Sequence, residues 1–177
     1  PGHVRLPFHH PPHYLQELDP KAKAATVAIA QALTRCGLPT EDTQDIISMV
    51  WRKGVLNACM NPVCAVTGLT MNRAMNDPIV FQIVNALVKE CIQVARANEI
   101  NLGWDFYPHA IEYMSKAGDH KPSMLMDIEA GRRTEVDYIN GKFVEYGLRA
   151  GMETPFNKTL MSLVKGLESS IESRRKG

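Results

Sequence analysis

A lysine and two asparagines stand four residues apart in an otherwise apolar stretch: Lys53, Asn57 and Asn61, within residues 46–61. A helix turns about 100° per residue, so the three fall on one slowly drifting face. A surface helix normally carries a broad polar face with several charges. Here the polar face is narrow and mostly amide. It reads either as a thin solvent stripe or as a strip that meets a ligand. In the second reading a cationic donor and two carboxamides sit in a low-dielectric cleft, a set suited to binding a polar small molecule. A second polar cluster occupies residues 121–141 and holds Ser123, Asp127, Glu129, Thr134, Glu135 and Asp137. Thr134 is placed to cap a helix beginning near Glu135. For Asp127, Glu129 and Asp137 a solvated helix face remains an equal reading.

The elements that must position these residues are helices. Asp19-Pro20 is a cap followed by proline at the first helical position, and an Ala-rich run continues to Cys36, where Gly37 stops it. Pro39 and Thr40 open the next helix, with Glu41 and Asp42 favourable in its first turn. That helix runs to Asn61, where Asn61-Pro62 ends or kinks it. Asp77-Pro78 repeats the cap signal. Ile79, Ile83, Leu87, Cys91, Val94 and Ala95 then form a stripe expected to be buried. Further helices are expected over residues 104–116, 122–130, 136–150 and 155–170, the last capped by Thr154-Pro155. The expectation is an all-α bundle of about seven helices with a short extended N-terminal segment.

Composition bounds the function. The chain has 177 residues, 45% hydrophobic and 22% charged, with 20 basic and 19 acidic side chains. That is ordinary globular composition and argues against disorder, collagen or a membrane channel. A net charge of +1 gives no electrostatic case for nucleic acid or an acidic membrane. No apolar run approaches the roughly 20 residues of a membrane span, and no signal-peptide pattern opens the sequence. Cys36, Cys59, Cys64 and Cys91 form no CxxC pair and read as reduced, mostly buried thiols of a cytosolic protein. Residues 1–18, rich in proline and histidine, read as a connector. His9, His10 and His13 lack a carboxylate or cysteine to complete a ligand set, so no metal is expected. No two glycines lie closer than Gly147 and Gly151, so no glycine-rich phosphate loop exists.

The two polar segments together carry a pattern. W-x-K-x3-N-x3-N-P spans Trp51 to Pro62, and S-M-x2-D-x-E-x-G-R-x-T-E-x-D-x-I-N-G spans Ser123 to Gly141. With Gly151-x-x-Thr154-Pro155-x-Asn157-x-x-Leu160, they resemble the C-terminal helical domain of ketopantoate reductase (2-dehydropantoate 2-reductase). The resemblance runs over residues 46–167 and implies a fold of the 6-phosphogluconate-dehydrogenase C-terminal type.

The resemblance further implies NADPH-dependent reduction of the 2-keto group of 2-dehydropantoate, in pantothenate and coenzyme A synthesis. Lys53 would be the general acid, Asn57 and Asn61 would hold substrate carboxylate and hydroxyl groups, and Ser123 would add a carboxylate contact. Glu135 would bind the terminal hydroxyl, orient Lys53 and stand at the cofactor. Many members place an asparagine ten residues after the Asn-Pro asparagine. Here Met71 occupies that position, and Asn72 beside it is the substitute. The expected division is residues 1–18 as the tail of a preceding Rossmann domain that carries the nucleotide, 19–172 as the catalytic and dimerisation domain, and 173–177 as a polar tail. A homodimer is expected. The competing readings are a related NADP-dependent 2-hydroxyacid or opine-type dehydrogenase domain, and a non-catalytic helical dimerisation module. A Lys53 facing bulk solvent far from Glu135 would favour the module.

Overall fold

The computed structural model describes residues 11–176, so His9 and His10 lie outside the described residues. The chain divides into two compact units, one ending at Met49 and one running from Val50.

The first unit holds strand β1 (His13–Leu15), a 3-10 turn (Pro20–Ala22), helix α1 (Lys23–Arg35) and strand β2 (Thr40–Asp42). Asp19 caps the turn by accepting from the Lys21 amide at 3.0 Å. Gly37, at φ +84°, ends the helical run as expected. The strands pair in parallel, His13 against Thr40 and Leu15 against Asp42, with α1 as the crossover. This corrects the expectation that Thr40 to Asp42 form a first helical turn. The Thr34 hydroxyl accepts from the Thr40 amide (2.9 Å) and donates to the Thr40 carbonyl (3.1 Å), which holds that residue extended. Helix α2 (Ile46–Thr67) starts later, where the Asp45 carboxylate takes the Ser48 amide at 3.2 Å.

The second unit is built on the rest of α2 and on α3 (Met71–Asn76), α4 (Pro78–Ala97), α5 (Phe106–Ser115), α6 (Ser123–Glu129), α7 (Asn140–Arg149) and α8 (Pro155–Lys176). The described residues thus hold eight α-helices in an all-helical fold with a short strand pair before it. α3 is the unexpected one: six residues are too few to show a period. Pro62 neither ends nor breaks α2, which continues for five more residues. Residues 173–176 are helical rather than a frayed tail.

α4 is the core helix. Asp77 caps it by accepting from the Ile79 and Val80 amides, each at 2.9 Å. It is long and apolar enough to cross a membrane by composition, yet it packs inside this unit. Its buried line is Val84, Leu87, Val88, Cys91, Val94 and Ala95. Ile79 and Ile83 were expected on that line but are 74% and 41% exposed. At 100° per residue both fall on its flank. The four cysteines are free thiols, Cys36 exposed and the other three buried. Burial and a hydrogen bond from Cys91 push the Cys59 thiol well up, and burial pushes Cys64 up to about 12. These buried thiols act as packing groups.

The start of α8 is capped from a distance. Thr154-Pro155 precedes it, but the carboxylate that receives its first amides belongs to Glu90 on α4. Glu90 accepts from Phe156 N at 3.0 Å, Asn157 N at 2.8 Å and Asn157 Nδ2 at 2.8 Å. A carboxylate at a helix N-terminus also meets the positive end of the helix dipole. Glu90 is 6% exposed, so these donors are its solvation. Hydrogen bonds to a charged group are worth roughly 1.5–3 kcal/mol each. Glu90→Ala should therefore destabilise the chain by about 3 kcal/mol or more, with Glu90→Gln milder. Urea unfolding followed by circular dichroism measures it, and a loss below about 1 kcal/mol would remove Glu90 as the cap.

Candidate active site

The strip on α2 runs from solvent into the interior. Lys53 is exposed, Asn57 half-buried and Asn61 buried at 6% exposure. One turn further on, Ala65 lies in a buried cluster with Met124, Val136 and Val164. Met124 follows Ser123 at the start of α6, and Val136 follows Glu135. The packing thus brings the chain neighbours of Ser123 and Glu135 onto the inner end of the strip. Ser123 and Glu135 themselves are exposed. Among the described residues no hydrogen bond or ion pair joins Lys53, Asn57, Asn61, Asn72, Ser123 or Glu135 to one another. Asn72 lies on α3, where both its Oδ1 and its carbonyl accept from Asn76 Nδ2 at 2.8 Å. Its Oδ1 is therefore engaged on its own helix.

The segment bearing Glu135 is a turn. Thr134 does not cap α7, which begins only at Asn140. Its hydroxyl accepts from the Val136 amide (3.3 Å) and donates to Glu168 on α8 (2.7 Å), while its own amide donates to the same carboxylate oxygen at 2.7 Å. The Glu135 carbonyl accepts from Tyr138 and Ile139. The remaining acids are ion-paired: Asp127 with Arg132 (2.7 Å), Glu129 with Lys121 (2.6 Å), and Asp137 with Lys165 (2.9 Å). The described residues contain no group of three His, Cys, Asp or Glu able to hold a metal ion.

Pro62 explains how the turn is docked. A proline has no N–H, so the carbonyl four residues back, Ala58 O, loses its intrahelical donor. Asn140 Nδ2 occupies that carbonyl at 2.9 Å and also donates to Asn157 Oδ1 at 2.9 Å. The orientations of both amides follow from the Glu90 carboxylate, which only accepts. It draws Asn157 Nδ2, which turns Asn157 Oδ1 to Asn140, which turns Asn140 Nδ2 to Ala58. Asn140 is fully buried. The two sequence motifs therefore meet through a carbonyl that the proline beside Asn61 sets free. In the sequence Pro62 marks an end or a kink of the helix, and Asn140 is one position of a pattern. The residue four before a mid-helix proline was the available signal.

Two cavities flank α2. One, of about 260 Å³, lies between α2 and α7 against Trp51, Phe143 and Tyr146. The other, of about 400 Å³, lies between α2 and α5.

The family model described as ketopantoate reductase PanE/ApbA C terminal matches residues 45–168. The 2-dehydropantoate 2-reductase of Archaeoglobus fulgidus is 30% identical over 160 residues, 89% of this chain and 53% of that protein. That of Pyrococcus horikoshii is 33% identical over 153 residues, 86% of this chain and 51% of that protein. Among solved structures, D-mandelate dehydrogenase with NADH and anilino(oxo)acetate superposes with a TM-score of 0.82 at 30% identity, covering 90% of this chain and 53% of that one. A PanE/ApbA family ketopantoate reductase from Ralstonia eutropha JMP134 gives 0.80 at 26%, covering 93% of this chain and 54% of that one. The chain spans about half the length of the curated relatives it matches.

Two measurements test the docking. Asn140→Ala should cost about 2 kcal/mol, the penalty for an unpaired buried carbonyl. In a Pro62→Ala background the new amide can serve Ala58 O, so the same change should cost at least about 1 kcal/mol less. Equal costs in both backgrounds would disprove the link. The second test is titration of Glu168. Burial opposes its ionisation, but the Thr134 hydroxyl and amide and Lys165 outweigh it and hold the carboxyl below its usual range. A depressed carboxyl contributes stability above its unfolded pKa of about 4.3, and this is lost as pH falls through the folded value. Thr134→Val should raise the Glu168 pKa and move the acid-unfolding midpoint to higher pH. Carbon-13 carboxyl NMR reads the first and circular dichroism the second.

Proposed function

The chain belongs to the ketopantoate reductase C-terminal family, and from that premise we propose that it is the substrate-binding and proton-donating part of a reductase converting 2-dehydropantoate to pantoate. The observation that supports this most is the strip's graded burial. A cation stands at its mouth, a half-buried amide follows, and a buried amide lies at its inner end, where Ser123 and Glu135 arrive through their neighbours.

In this reading Lys53 stabilises negative charge growing on the carbonyl oxygen and then donates its proton there. Asn57 and Asn61 hold the substrate's carboxylate and hydroxyl groups, with Ser123 adding a donor to the carboxylate. Glu135 takes the terminal hydroxyl and orients Lys53. Asn72 is the least suited of the set, since Asn76 already holds its side chain. An exposed lysine at the mouth suits a cleft whose opposite wall is a separate Rossmann domain of the same enzyme. NADPH would supply the hydride. The described residues offer no glycine-rich turn that fits its pyrophosphate, and glycines at positive φ stand singly at turns. The partners in this proposal are that domain, a second copy of the chain in a homodimer, and the 2-keto acid. The setting is the cytoplasm, in the pathway to pantothenate and coenzyme A.

A second reading has support in the likeness to D-mandelate dehydrogenase, which favours a related reductase of a different 2-keto acid. A panel of 2-keto acids tested with the complete enzyme separates the two. In that enzyme Lys53→Ala should lower kcat by roughly 10²–10⁴-fold. Asn61→Ala should act mainly on KM. Near-normal turnover of the Lys53→Ala enzyme would remove Lys53 from the mechanism. The 177-residue chain alone should bind NADPH no tighter than scattered surface charges allow. Micromolar binding in a calorimetric titration would overturn that assignment.

A further inference from the structure

Arg52 precedes Lys53 and lies about 100° around α2 from it, on the flank that faces α5. Its Nε is buried and has no hydrogen-bond partner. Among the described residues no carboxylate pairs with its guanidinium. The group is nonetheless held in place. Its carbon lies 5.9 Å from the centroid of the Phe106 ring, a cation–π contact. Its Nη2 packs against Gly103, whose φ is +86° and where a Cβ would come within 2.9 Å of that nitrogen. The positive φ favours glycine there, and a side chain would also have to displace the end of Arg52.

This guanidinium lines the cavity of about 400 Å³ between α2 and α5. The other lining residues divide cleanly. Leu56, Leu102, Phe106 and Ala110 supply apolar walls. Glu112 is paired with Lys116 at 2.5 Å. Asp105 gives its Oδ2 to the His109 ring at 2.9 Å, and its Oδ1 lies beside Gly103 near the Arg52 guanidinium, without an ion pair to it. Among the described residues Arg52 makes no hydrogen bond or ion pair, and it is set against an aromatic ring in a partly desolvated wall where an incoming anion interacts more strongly than in water. We propose that this cavity binds a small organic carboxylate, with the carboxylate on Arg52 and an apolar or aromatic body against Leu56, Leu102, Phe106 and Ala110. None of these residues belongs to the Lys53–Asn57–Asn61 strip, so the site stands independently of the reductase reading.

The test uses the 177-residue chain and phenylacetate as the probe, followed by amide NMR. Saturable shifts should appear at the α2 and α5 residues of the cavity. Arg52→Met should weaken binding at least tenfold, and neutral phenylacetamide should bind at least tenfold more weakly than phenylacetate. Lys53→Ala should leave the affinity unchanged. His109→Trp, at an exposed position on the cavity wall, should block entry in a chain whose core is untouched. It therefore decides the matter should Arg52→Met fail to fold. No saturable shift in the millimolar range, full binding in Arg52→Met or His109→Trp, or loss of binding in Lys53→Ala would each overturn the proposal.

Discussion

One missing hydrogen bond organises the second unit. Pro62 cannot close the Ala58 carbonyl into helix α2, and Asn140 takes it instead. Asn140 is joined to Asn157, Asn157 to Glu90, and Glu90 to the first amides of α8. A single buried chain of polar contacts thereby ties α2, α7, α8 and α4 together. Apolar packing supplies most of the burial around it, but packing alone tolerates sliding. The polar chain has one solution, because the carboxylate at its end can only accept. That fixes where the turn before Asn140 lies along α2.

Much of this was legible in the residue order where a local rule applies. Asp19-Pro20 and Asp77-Pro78 mark helix starts because their caps act within three residues. The strip was legible because an i, i+4 spacing survives any tertiary context. The rest depends on partners far along the chain. Thr40 reads as a helix start until Thr34 and the parallel partner strand are known. Thr134 reads as a cap until Glu168 is seen to compete for its hydroxyl. Glu90 reads as one more charge on a helix, since nothing in its neighbourhood announces the amides of Phe156 and Asn157. The grouping of Ser123 and Glu135 with the α2 strip came from the resemblance, not from spacing; the structure shows their chain neighbours Met124 and Val136 packed with Ala65.

The strip's gradient has an electrostatic logic. A lysine is cheapest to keep charged where water reaches it, and an amide tolerates burial better than an ion does. An ion at the exposed end and amides toward the interior keep the desolvation cost of the strip low. Arg52, about 100° around the helix, follows another rule. It is half-buried, with its guanidinium over the Phe106 ring and its Nε out of reach of water.

The separation in sequence between the partners of the polar chain has a consequence for how this unit comes apart. Asn140 and Ala58 are 82 residues apart, and Glu90 and Asn157 are 67. No hairpin of adjacent helices contains both ends of either bond. A partly assembled intermediate therefore leaves a carboxylate, two amides and a helix carbonyl without partners, so water must stay among them until the last helix docks. Loop closure over such distances comes late and is entropically expensive. The second unit should accordingly behave as one cooperative foldon, with α2, α4, α7 and α8 losing amide-exchange protection together rather than peeling from the C-terminus.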